Sequence, residues 1–184
     1  MLSKIFGKTI FLPGLYTLDK NSNNYVKILN KIGIKYIVIE NNFYNDNKLD
    51  ITKIEDYLKN NRVKKIITDC PHLIKDLIYN GIKVKNQHIV EIIFKNVHSL
   101  ISEKDLAENL QNKDMRIEDN REIITYHDPC NLGRKIGIYS IPRELIKAFG
   151  YKLIEFDEKR ENSFCCGGFL NNEKIVILQL SEAI

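Results

Sequence analysis

The chain alternates short runs rich in Ile, Val and Tyr with longer stretches whose apolar residues recur every three or four positions. Residues 7–14 (GKTIFLPG) predict a strand ending in a Pro-Gly turn. Over 20–32, Tyr25, Ile28, Leu29 and Ile32 share one face of a helix that Gly33 stops. The apolar run 35–40 (KYIVIE) predicts a strand buried on both faces. Ile51, Ile54 and Leu58 predict a helix over 50–60 with Asp50 as its N-cap. A strand at 64–70 follows, then a helix over 71–81 that opens on Pro71 and closes on Gly81. Residues 84–94 hold further short elements.

The second half begins again with a strand, 121–130, that ends in Pro129-Cys130. A glycine-containing loop leads to a helix over 141–150 that stops at Gly150. Then come a strand (151–156), a loop (157–168) and a final helix over 171–184. Strands alternating with helices predict an α/β protein with mainly parallel sheets. The halves repeat weakly: TIFLPG, a helix, Gly33 and KYIVIE match ITYHDPC, a helix, Gly150 and YKLIEF in order. The pattern therefore predicts two pseudo-repeated, Rossmann-like half-domains, 1–96 and 121–184, joined by a polar linker at 97–120. One continuous doubly wound sheet fits the element order almost as well.

Composition narrows the function. A net charge of +4 over 184 residues is too dilute for nucleic-acid binding, which needs a concentrated basic patch. No apolar run reaches the length of a membrane span, and the N-terminus lacks the pattern of a signal peptide, so a cytoplasmic chain is expected. The 29 Ile, 22 Lys and 20 Asn against 3 Ala resemble the bias of an A+T-rich genome. No Walker A loop, dinucleotide-binding glycine fingerprint or nucleophile elbow is present.

The chemistry concentrates in the cysteines. There are four, too few for a disulfide scaffold, and each sits at or beyond a predicted strand end. Ligands of open α/β sheets bind at that edge, so Cys130, Cys165 and Cys166 can converge there. Neighbouring thiolates repel unless a cation shares their charge, and soft thiolates select zinc, copper(I) or iron–sulfur clusters. Gly167 and Gly168 let the backbone bend closely and bring amides towards thiolate or sulfide. A dithiol site, with Cys165–Cys166 cycling against Cys130, is a further reading.

His127-Asp128-Pro129-Cys130, Leu132-Gly133-Arg134, Pro142-Arg143-Glu144-Leu145 and Cys165-Cys166-Gly167-Gly168, with 34 residues between Cys130 and Cys165, resemble one family. It is the cysteine-rich CCG domain found in the B-type polypeptide of heterodisulfide reductases and in glycolate oxidase-type iron–sulfur subunits. The first half resembles a degenerate earlier copy, with Cys70 of TDCPHL matching one family cysteine and Leu73 replacing another. The family's closing C-x-x-C has no counterpart in the 18 residues after Cys166, so the second motif is expected to be C-terminally incomplete. The resemblance implies an iron–sulfur electron-transfer subunit of a multi-subunit oxidoreductase, partnered by an iron–sulfur or flavin subunit. It implies a [4Fe-4S]-type cluster held by Cys130, Cys165 and Cys166, with Gly167 beside it. The alternative is a zinc-bound or metal-free assembly subunit without redox activity, its zinc completed by His127 or Cys70. Arg134 and Arg143 are read either as cations near an anionic group or as solvated residues, and His88 and His98 as surface residues.

Overall fold

A computed structural model describes residues 7–14, 22–39, 43–45, 48–101 and 121–165. The chain divides into two units, Met1–Leu100 and Ile101–Ile184.

In the first unit, β1 (Lys8–Phe11), β2 (Ile37–Val38), β5 (Val63–Thr68) and β6 (Lys85–His88) form a parallel sheet in the order β2-β1-β5-β6. The helices are α1 (Ser22–Lys31), α2 (Ile51–Asn60), α3 (Pro71–Tyr79), α4 (Ile89–Lys95) and α5 (Val97–Leu100). Because successive side chains of a strand point to opposite faces, β1 and β5 feed two cores. Ile10, Leu12 and Ile66 pack with Ile54 and Leu58 of α2 and Leu73 and Leu77 of α3. Phe11 and Ile67 pack on the other side with Leu29 of α1 and Ile89 and Ile92 of α4. Phe11 also meets the rings of Tyr25 and Tyr36 edge-on, each 6.3 Å away.

The expected helix starts hold. The Asp50 carboxylate accepts from the Lys53 amide at 3.0 Å, and Pro71 opens α3. The strand expected at 35–40 is corrected. Among the described residues of that run only Ile37–Val38 are strand, they pair on one side with β1, and both are nearly half exposed. An edge position leaves one flank and much of both faces open, which an apolar run alone does not reveal. A two-stranded antiparallel pair, β3 (Tyr44–Asn45) with β4 (Lys48–Leu49), has no counterpart in the expected elements. Val97–Leu100, at the start of the expected linker, are a helical turn with Val97 buried. Residues 102–120 and the helix expected at 171–184 lie outside the described residues.

The second unit contains β7 (Ile123–Thr125), α6 (Ser140–Ala148) and β8 (Lys152–Ile154). β7 and β8 pair in parallel, with Ile124 opposite Leu153. This repeats β1–α1–β2, in which Ile10 stands opposite Ile37. Each helix is followed by a glycine in the left-handed region, Gly33 at φ +72° and Gly150 at φ +88°, a conformation that costs glycine little. Both units are thus α/β with Rossmann-like parallel strand–helix–strand connections. Among the described residues no helix is long and apolar enough to cross a membrane.

Candidate metal centre

In the second unit the chemistry lies beyond the carboxyl ends of β7 and β8. Cys130 opens a run of tight turns five residues after β7. The Pro129 carbonyl accepts from the amides of Leu132 and Gly133, and the Cys130 carbonyl from that of Lys135. Gly133 is required by a close approach: a Cβ there would stand 2.5 Å from the Tyr139 ring. Cys165 follows β8 through a loop that includes a 3-10 turn at Arg160–Asn162. Cys130 and Cys165 are both half-buried free thiols. Because β7 and β8 are parallel neighbours, both cysteines follow the same edge of the sheet.

A buried ion cluster braces this edge. Arg143 of α6, 3% exposed, uses all five of its N–H donors. Nη1 and Nη2 each donate to the Asp128 carboxylate at 2.6 Å, Nε and Nη2 to Glu155 at 2.7 and 3.0 Å, and Nη1 to the Tyr139 carbonyl at 2.7 Å. The guanidinium also lies 5.1 Å from the centre of the Tyr126 ring. Asp128, 2% exposed, accepts in addition from the Arg160 amide at 2.7 Å. Burial alone would raise the Asp128 pKa. The bonds from Arg143 and the Arg160 amide outweigh burial and hold the carboxyl below its usual range. The Arg143 pKa is raised chiefly by its bond to Asp128. The Tyr126 hydroxyl is buried without a partner among the described residues, and burial pushes its pKa up to about 12.

Further bonds fasten the Cys165 loop to the Cys130 loop. Arg134 Nη1 donates to the Ser163 carbonyl at 2.6 Å and to the Glu161 carbonyl at 3.3 Å. Ser163 Oγ lies 3.3 Å from His127 Nδ1. His127 is half-buried; burial lowers its pKa, Asp128 opposes this, and Arg134 lowers it further.

The structure therefore brings Cys130, His127 and the approach to Cys165 together. Cys166 and Gly167 lie outside the described residues. Cys70 belongs to the first unit, where it sits at the N-cap of α3, and burial raises its thiol pKa. Among the described residues, no group of three or more His, Cys, Asp and Glu side chains is gathered for a metal ion. The two free, half-buried thiols, in loops that Arg134 ties together, fit the soft-donor chemistry of an iron–sulfur centre. Arg143, read as a cation for a ligand or as a solvated residue, is neither: it is buried and saturated within the chain. The sequence pattern gives no sign of the roles of Asp128, Glu155 and Ser163. Asp128 and Arg143 stand within conspicuous motifs, but nothing in their spacing pairs them.

His88 is corrected as well. It is buried, with Nδ1 accepting from the Val90 amide at 3.3 Å and Nε2 bonded to the Asp69 carbonyl at 3.0 Å. Its polar sequence neighbours belong to edge strand β6, whereas the ring itself turns inward to cap α4.

Residues 124–177 match the family model of the cysteine-rich domain, CCG. The chain is 30% identical over 169 residues to the Probable iron-sulfur-binding oxidoreductase FadF of Bacillus subtilis, covering 81% of this chain and 22% of that protein. It is 37% identical over 109 residues to the EtfAB:quinone oxidoreductase of Syntrophomonas wolfei, covering 57% and 14%. Over 45 residues it is 47% identical to a subunit of the Dihydromethanophenazine:CoB--CoM heterodisulfide reductase of Methanosarcina barkeri, covering 24% and 11%. The chain thus spans less than a quarter of these relatives. No solved structure is a significant match.

Proposed function

This chain carries a cysteine-rich domain of the CCG family over residues 124–177, and from that premise we propose that it is an iron–sulfur electron-transfer module of a larger oxidoreductase. The observation that carries the reading is the fastening of the Cys130 and Cys165 loops to each other at one sheet edge, through Arg134, Asp128 and His127. Cys130, Cys165 and Cys166 are the proposed ligands, with the Gly167 amide beside them. When bound, a [4Fe-4S]-type cluster would supply one-electron transfer. The chain's own residues hold thiols at the edge, supply positive charge from Arg134 and keep the Asp128–Arg143 pair buried. The similarity to oxidoreductases and to one of their subunits supports partners of the same kind: iron–sulfur or flavin polypeptides of a redox complex. On this reading the module works in the cytoplasm, with 1–96 a degenerate first half-domain, 97–120 a linker and 121–184 the functional half.

Anaerobic reconstitution followed by iron and acid-labile sulfide analysis tests it. The wild-type chain should take up both and gain visible charge-transfer absorption. Cys130→Ser, Cys165→Ser and Cys166→Ser should each lose most of it. A colourless, iron-free wild-type chain would overturn the proposal.

A further inference from the structure

Arg134 and Arg143 flank the same sheet edge but are used differently. Arg143 is enclosed by two carboxylates and a carbonyl. Arg134 is exposed and bonds only backbone carbonyls; among the described residues it forms no ion pair. Those carbonyls belong to Glu161 and Ser163, so Arg134 grips the stretch just before Cys165. Two residues of chain span at most about 7 Å, so fixing the Ser163 carbonyl confines Cys165 closely. At its own end, Arg134 belongs to the turns that begin at Cys130 and are closed by the bonds from Gly133 to Pro129 and from Lys135 to Cys130.

Other ties on the loop act further away or more weakly. The Arg160 amide on Asp128 is five residues from Cys165, and it holds Arg160 in the left-handed region at φ +56°. The Ser163–His127 contact is a longer bond, at 3.3 Å against 2.6 Å for Arg134 to the Ser163 carbonyl. Hydrogen bonds from a charged donor are the stronger kind.

We infer that Arg134 is a positioning residue: its guanidinium straps the Cys165 loop to the Cys130 turn and sets the relative placement of the two thiols. The inference rests on the reading of Cys130 and Cys165 as one site, but the strap belongs to the protein chain and acts before anything is bound. Both carbonyls are served by Nη1, which the rigid guanidinium plane holds in place, whereas a Lys ammonium on its flexible stem is less preorganised, and this separates Arg from Lys here.

The test is pulsed N-ethylmaleimide modification of the full chain, reduced and anaerobic, read by peptide mass spectrometry. Losing a charge-assisted hydrogen bond that closes a loop implies about a tenfold faster reaction at Cys165 in Arg134→Ala. Cys70, in the other unit, should keep its wild-type rate. Cys130 should change much less than Cys165, and Arg134→Lys should recover part of the protection. A wild-type rate at Cys165 in Arg134→Ala would overturn the assignment. So would equal acceleration at Cys130 and Cys165, which would make Arg134 a general support of the unit. Iron uptake is measured separately on the same proteins. A wild-type chain that binds no iron removes the cofactor reading and leaves the modification contrast to decide the role of Arg134.

Discussion

β1–α1–β2 and β7–α6–β8 are built alike, yet their strand ends are closed by different means. In the first unit the sheet is clothed by apolar cores on both faces. Beyond its strands a short polar chain runs sideways: the Gly14 amide donates to the Asp69 carboxylate at 2.7 Å, and His88 bonds the Asp69 carbonyl. In the second unit the register places Ile123 and Ile154 on one face, and they are 57% and 45% exposed. There the order comes from the Asp128–Arg143–Glu155 cluster instead. Among the described residues, the first unit rests on apolar cores, and the second on saturated charge beside the buried Leu132 and Leu145. Where the repeat places Gly14 in one, it places Cys130 in the other.

The strongest way to break this contrast is to remove one keystone from each. Arg143→Ala should cost about 3–5 kcal/mol, because it strands a buried carboxylate at Asp128. Phe11→Ala should cost a similar amount, about 3–5 kcal/mol, through a cavity between β1 and α1. Hydrogen exchange should localise the first loss to 123–163 and the second to the first unit. If Arg143→Ala loosens both units equally, the contrast fails.

Gly133→Ala should come next, at about 1–3 kcal/mol, by forcing a methyl group into the Tyr139 ring. Thermal unfolding checks it, and pairing the change with Tyr139→Ser should return most of the loss.

Acid should separate the units most gently. The folded His88 pKa is lowered by burial, against the opposing pull of Asp69 and Glu91. The first unit therefore holds its full His88 contribution above the ordinary value of 6.5 and loses it as pH falls through the lower folded value. Asp128 is also depressed, so the second unit keeps that contribution down to the ordinary value of 3.8 and loses it only below. Exchange measured between pH 7 and 4 should show His88 and α4 loosening first. His88→Asn, which retains a capping side chain that does not titrate in this range, should flatten the dependence in the first unit.

The sequence displayed what is periodic or chemically unusual. The α1, α2 and α3 faces, the Asp50 cap, the Pro71 start and the glycine stops follow from spacing and backbone preference. The cysteine edge followed from thiol chemistry and a shared motif. What stayed hidden depends on contacts distant in sequence. Whether KYIVIE lies inside a sheet or at its edge is decided by which strands pair, and periodicity is silent on that. His88 reads as polar because its neighbours are, although its ring turns inward. Asp128 and Arg143 are 15 residues apart, and only the folding of the loop after β7 back towards α6 makes them partners.

The saturation of Arg143 also bears on reagents. A guanidinium with all five N–H groups engaged and 3% exposure has nothing to offer a free anion or a dicarbonyl such as phenylglyoxal. Covalent arginine labelling of the intact chain would therefore pass over Arg143 and mark exposed arginines such as Arg134 and Arg160, sorting the scaffold's cation from the accessible ones.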